Sequence, residues 1–171
     1  MLRMSVGCLK RLLREGVGGQ KVLRERPWAV EWTFKMSGGI ASDSEGEGAD
    51  GFAIVMRGER GGQFRLVVDA YWNPQTGDQS GNSLKWESAD GAPESVYVPH
   101  RFDDGKEQRI ILSNSPVPGV MLVSHAGSAD AVPVTYMVKE NPFADEEDVE
   151  FDIEKLGNGD VTVDLSHSTF L

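Results

Sequence analysis

Residues 28–34 alternate between apolar side chains and polar or small ones, and this alternation restricts the fold more than any other feature of the chain. The apolar positions are Trp28, Val30, Trp32 and Phe34. Successive side chains of a β-strand point to opposite faces of a sheet, so a period of two predicts a strand that buries one face. The same period recurs over residues 149–153 and 161–165, and Gly157-Asn-Gly159 between them predicts a β-hairpin.

Other segments are apolar or β-prone without strict alternation. Residues 51–56 are continuously apolar between turn residues, which predicts a central strand of a sandwich. Further β-prone runs cover residues 64–68, 109–112, 120–123 and 132–138. With 171 residues and 39% hydrophobic content, the chain is long enough for one domain with a sizeable core. We therefore predict an all-β domain over residues 27–171, built as a sandwich of antiparallel sheets.

The first 26 residues differ in charge from the rest of the chain. Seven of them are basic and two are acidic, whereas the whole chain carries a formal net charge of −10. Met4, Cys8 and Leu12 recur at helical spacing before glycines interrupt the pattern. We expect residues 1–26 to form a basic N-terminal tail that is either a short helix or disordered, and an organellar transit peptide is an alternative interpretation of this composition.

The overall charge limits the partners of the chain. A net charge of −10 argues against nucleic acids and anionic membrane surfaces as main partners. The single cysteine, Cys8, cannot form an internal disulfide. No apolar run is long enough to cross a bilayer, so we expect no membrane span.

Two short motifs lie at the ends of predicted strands. Gly48-Ala-Asp-Gly51 precedes the apolar run 51–56, and Val68-Asp-Ala-Tyr-Trp-Asn73 follows the run 64–68, with Asp78 later in the same loop. Carboxylate and amide oxygens held on a loop are suitable ligands for Ca²⁺. In this order the motifs resemble the L-type lectins, the concanavalin-like family that includes the legume lectins. The resemblance covers residues 28–78 and implies a concanavalin-like jelly-roll sandwich. Because this chain is shorter than most members of the family, a terminal strand of that sandwich can be missing.

The resemblance implies a Ca²⁺ ion as cofactor. Asp69, Asn73 and Asp78 match positions that supply side-chain oxygens to the ion in that family. The backbone carbonyl of Tyr71 matches a further ligand. Together with water, this set of oxygen ligands is chemically sufficient for Ca²⁺.

The resemblance also implies a carbohydrate partner, either a glycan or a glycoprotein. Asp50 and Asn73 match residues that hydrogen-bond sugar hydroxyls, and Tyr71 matches an aromatic ring that stacks on the sugar. Gly62, or Gly61 beside it, matches a backbone N–H donor to the same sugar. A sugar needs both kinds of contact because it presents hydroxyls around a patch of C–H groups.

The chain also departs from the family's pattern. Legume lectins hold a transition metal beside Ca²⁺, and the corresponding positions here are Val67 and Ser83, so we expect one ion rather than two. The family suggests a location in the secretory pathway or outside the cell.

Aspartate, asparagine, proline and glycine also form ordinary turns, so a turn that binds no ion remains an alternative for residues 69–78.

Glu150, Asp152 and Glu154 suggest a catalytic alternative. Their spacing places three carboxylates on one face of a strand, as in the glycoside hydrolases that share the concanavalin-like sandwich. The residues between them form an apolar face, which leaves the carboxylates on an ordinary solvent face, and the family resemblance lies elsewhere in the chain. We therefore expect no enzymatic activity, with the hydrolase and a purely structural or protein-contact sandwich as alternatives.

Three further features are assigned to the surface. His100 and His125 are expected in loops. A metal or sugar site is the alternative for His100, and the sequence shows no carboxylate partner for His125. Asp145-Glu-Glu-Asp148 is expected to be a solvated run of charge, with a weak second cation site as the alternative.

Overall fold

A computed structural model describes residues 28–37, 51–70, 82–89, 91–143, 146, 149–156 and 160–170, with the backbone alone for residues 166–170. These residues form ten β-strands and no helix. The strands are β1 (Trp28–Ser37), β2 (Gly51–Gly58), β3 (Gln63–Asp69), β4 (Ser83–Ser88), β5 (Glu94–Tyr97), β6 (Gln108–Asn114), β7 (Met121–Ala126), β8 (Val134–Val138), β9 (Val149–Leu156) and β10 (Asp160–Phe170). The predicted tail of residues 1–26 lies outside the described residues. No described segment is a helix that is long and apolar enough to span a membrane.

The strands form two five-stranded sheets. The back sheet has the order β10-β1-β6-β7-β8, and the front sheet has the order β5-β4-β3-β2-β9. Every described pair of neighbouring strands is antiparallel. The predicted all-β sandwich of antiparallel sheets is therefore confirmed.

The core lies between the sheets and is rich in aromatic rings. Trp32 and Phe34 of β1 point inward as the alternation predicted, and each is 1% exposed. The Phe34 ring lies 5.1 Å from that of Phe52 on β2, and the Trp32 ring lies 5.4 Å from that of Phe151 on β9. Since β1 belongs to the back sheet and its partners to the front sheet, these contacts join the two layers. Truncating one such ring to alanine typically costs about 3–5 kcal/mol.

The predicted hairpin of residues 149–165 is wrong. β9 pairs with β2 in the front sheet, whereas β10 pairs with β1 in the back sheet. Both strands do alternate, because each buries one face in the same core from opposite sides. Alternation predicts that a strand has a buried face, but it does not identify the neighbouring strand.

Candidate functional site

The two motifs singled out in the sequence meet at one end of the front sheet. β2 and β3 are antiparallel, with Gly51 directly opposite Asp69, and Asp69 is also opposite Ser83 on β4. The chain therefore enters β2 at the same sheet end where it leaves β3. Asp50 and Tyr71, like Asn73 and Asp78, lie outside the described residues, so the structure fixes the strand ends that flank these four residues.

Gly51 is required by the close approach of β2 and β3. A Cβ atom built on Gly51 would lie 2.4 Å from the backbone oxygen of Val68, a distance that real Cβ atoms do not tolerate. The glycine of the Ala-Asp-Gly motif thus has a packing reason that the sequence did not reveal. It keeps the start of β2 tight against the end of β3.

Asp69 faces outward from the front sheet and forms an ion pair. Its side chain is 15% exposed, and its Oδ2 accepts a hydrogen bond of 2.8 Å from Nζ of Lys85 on β4. Sequence reasoning missed Lys85, although its place two residues after Ser83 puts it on the same face of β4 as the partner of Asp69. Any cation bound by Asp69 would compete with the Lys85 ammonium for the carboxylate.

The structure does not bring Gly62 to this end of the sheet. Gly62 precedes β3, whereas Asp69 ends it, so the seven-residue strand separates the two by about 20 Å. The Gly62 N–H donates to Oε1 of Glu146 at 2.8 Å. Gly62 therefore lies away from the sheet end where the two motifs meet.

Glu146 is buried and holds the turn between β2 and β3. It is 4% exposed, and its carboxylate accepts hydrogen bonds from the N–H groups of Arg60 and Gly62. A Cβ atom on Gly58 would lie 2.1 Å from the Glu146 carboxyl carbon. The expectation that residues 145–148 form a solvated run of charge is wrong for Glu146, because these backbone donors offset the cost of burying its carboxylate.

The carboxylates of the hydrolase alternative lie on one face of β9, as their spacing predicted. Glu150 and Asp152 are exposed, while Glu154 lies 3.5 Å from the Arg65 guanidinium. Four residues of strand separate Glu150 from Glu154 by about 13 Å. This distance separates the two backbones, and glutamate side chains on one face can bring their carboxyls closer together, so the spacing is compatible with the carboxyl pair of a glycosidase, which lies about 5–9.5 Å apart.

His125 is not a loop residue, contrary to expectation. It lies within β7, is 3% exposed, and its Nε2 is 2.8 Å from Oε1 of Gln108. The Gln108 amide nitrogen donates to the carbonyl oxygens of Arg101 and Phe102, so Oε1 remains as the acceptor for an Nε2–H of His125. Burial, followed by the charge of His100, lowers the pKa of His125 to about 4. His125 is therefore a neutral core residue at neutral pH.

The described residues do not form a metal site by themselves. Within the part of the chain that the structure describes, no group of three or more histidine, cysteine, aspartate or glutamate side chains could hold an ion. Asp69 belongs to this part, whereas the other predicted ligands fall outside it. The Ca²⁺ prediction therefore stays a prediction.

Comparison with known proteins identifies the fold. No family model matches the chain, and no curated protein matches it. Among solved structures, the UEA-II lectin complexed with galactose has a TM-score of 0.58 at 13% identity, covering 88% of this chain and 75% of its own. Peanut lectin with a nine-residue peptide has a TM-score of 0.57 at 13% identity, covering 86% and 73%. The metal-free form of lectin I-B4 from Griffonia simplicifolia has a TM-score of 0.57 at 15% identity, covering 85% and 73%. The chain therefore has the concanavalin-like fold of the legume lectins.

Proposed function

We propose that this protein is a Ca²⁺-dependent carbohydrate-binding module without enzymatic activity. The observation that carries the proposal is the register of β2 and β3, in which Gly51 lies opposite Asp69. This register joins the ends of two motifs that are separate in sequence. The legume-lectin fold supports the same conclusion, since several of its solved examples were determined with galactose or a related sugar.

The proposed ion site uses hard oxygen ligands. Asp69, Asn73 and Asp78 would provide side-chain oxygens, and Tyr71 a backbone carbonyl, a donor set that suits Ca²⁺. Asp69 fits this role because its carboxylate is largely buried and lies at the end of a strand. When bound, the ion would fix the orientation of the Asn73 amide.

The proposed sugar site uses residues on both motifs. Asp50 and Asn73 would bind sugar hydroxyls, and the Tyr71 ring would cover the C–H face of the sugar. The partner is then a glycan or glycoprotein. A location in the secretory pathway or outside the cell follows as part of the same proposal.

The proposal is tested by two binding measurements on the full chain. Titration calorimetry should show Ca²⁺ binding that Asp69→Asn weakens at least tenfold, while Asp160→Asn, an exposed aspartate at the start of β10, leaves it unchanged. A glycan array should show binding that depends on added Ca²⁺ and disappears in Asp50→Ala and Asn73→Ala. Unchanged Ca²⁺ binding in Asp69→Asn would refute the ion site, and unchanged array signals in the other two variants would refute the sugar site.

A further inference from the structure

The outward face of the front sheet, turned away from the back sheet, is recessed. Ala53, Val55 and Val67 lie on this face, yet they are only 0%, 7% and 9% exposed and form an apolar cluster with Leu156. Outward residues of an antiparallel sheet normally contact water and are polar. This face therefore has an apolar floor below the level of its surrounding side chains.

An ion pair crosses above this floor. Arg65 on β3 lies 3.5 Å from Glu154 on β9, and β2 is the strand between them. The pair therefore passes over β2, where Val55 is opposite Arg65. Both side chains are partly exposed, at 35% and 44%, so a ligand can reach them.

A cavity of about 410 Å³ adjoins this ion pair, and another of about 470 Å³ adjoins the β2–β3 turn. The smaller cavity has Val55 in its floor and four charged residues in its walls, Arg57, Arg65, Glu87 and Glu154. The two cavities share Gln63, Ser88 and Ala89. They therefore form one trough, which we name the front trough.

The charges in the smaller cavity indicate a neutral, hydroxyl-rich ligand. Its two guanidinium groups balance its two carboxylates, although the chain as a whole carries −10. The Arg57 and Glu87 side chains form no hydrogen bond or ion pair with any residue that the structure describes. Guanidinium groups donate and carboxylates accept in planar pairs, which suits neighbouring hydroxyls above an apolar floor. An apolar ligand would instead desolvate these charges without compensation.

We propose that the front trough binds a neutral oligosaccharide, so that the ligand of this protein is an extended sugar chain rather than one terminal sugar. This inference rests on the proposed function, because the first sugar would be held at the Asp69 end of β3. Gln63, at the other end of β3, lines the trough. One chain bound along the strand would therefore contact both sites.

The experiment compares ligands of different length on the Ca²⁺-loaded full chain by titration calorimetry. The probes are galactose, mannose and glucose, each as the monosaccharide and as linear oligosaccharides up to the tetrasaccharide. We expect the tetrasaccharide of the preferred sugar to bind at least tenfold more tightly than its monosaccharide. Arg57→Ala and Glu87→Ala should each weaken tetrasaccharide binding about tenfold and leave monosaccharide binding unchanged.

Matched controls are Lys106→Ala and Glu107→Ala, which remove exposed charges from a loop outside the trough and should change neither affinity. Circular dichroism and thermal unfolding would show that all four variants remain folded. Wild-type tetrasaccharide affinity in both Arg57→Ala and Glu87→Ala would overturn the trough and leave the proposed function intact. Retention of monosaccharide binding in Asp69→Asn and Asn73→Ala would instead overturn the proposed function.

Discussion

Lys85 donates a hydrogen bond of 2.8 Å to Asp69, so a cationic side chain already occupies one oxygen of the predicted first Ca²⁺ ligand. The pair is partly shielded from water, with side-chain exposures of 30% and 15%. A bound ion and the ammonium group would therefore repel each other across a short distance. The affinity for Ca²⁺ should therefore depend on both Asp69 and Lys85.

Replacement of Lys85 by methionine should raise Ca²⁺ affinity roughly fivefold to tenfold, because it removes this repulsion and keeps the apolar stem of the side chain. Titration calorimetry at low and at physiological salt would measure the effect, which should shrink as salt screens it. Lys106→Met is the matched control. A fall in affinity for Lys85→Met would mean that the ammonium orients Asp69 rather than competing with the ion.

Gly51→Ala should destabilise the protein by about 1–3 kcal/mol, since its Cβ would lie 2.4 Å from the Val68 oxygen and the strands must move apart. Urea denaturation would give the free energy of unfolding. Gly61→Ala is a useful comparison, because Gly61 has φ of 95° but nothing within 4 Å of its Cβ position. It should cost about 1 kcal/mol through backbone strain alone. Equal stability of Gly51→Ala and wild type would contradict the close approach.

Glu146→Ala should cost about 1–3 kcal/mol because it leaves the N–H groups of Arg60 and Gly62 without their acceptor. Glu146→Gln keeps one acceptor oxygen and should cost less. Denaturation measures both, and hydrogen exchange at the two amides should accelerate most in the alanine variant. Glu107→Ala, at an exposed position, is the control. An exchange rate at Gly62 that is the same in the alanine variant and wild type would contradict the role of Glu146.

The free energy of unfolding should fall by about 3 kcal/mol as the pH decreases from about 6.5 to about 4, because His125 binds a proton more weakly in the folded state than in the unfolded state. Burial is the main cause of its lowered pKa of about 4, the charge of His100 adds to it, and Asp104 opposes it. Below that pH its contribution should be constant. Denaturation at a series of pH values, with His125→Gln for comparison, measures the slope.

Asp104 affects stability at lower pH. Burial alone would raise its pKa, but the Lys106 N–H and the Gln108 amide stabilise the carboxylate and lower the pKa below its usual value. Its contribution is therefore lost only in more acidic solution than that of His125. If the free energy of unfolding of His125→Gln still fell by the full amount between pH 6.5 and 4, a group other than His125 would have to be responsible for that fall.

Local pattern was sufficient to predict the strands that face the core. The alternation in β1 and the apolar run of β2 each reflect packing against the core. A strand can pack in this way whichever strand lies beside it in the sheet. The family resemblance implied a sugar contact for Gly62, whereas the short turn before β3 places it at the sheet end opposite Asp69. Composition failed for Glu146 and His125, whose burial depends on hydrogen-bond partners distant in sequence.

The sequence by itself determined an all-β sandwich with amphipathic strands around one apolar core, and two short motifs at strand ends. Side-chain alternation and turn residues specify these features because each depends only on a few residues adjacent in sequence. Only the tertiary structure decided that β9 and β10 belong to different sheets, that Gly51 lies opposite Asp69, and that Lys85 pairs with Asp69. These relationships arise from pairing and packing between distant segments. Their free energy depends on which strands meet, and local sequence does not encode that choice.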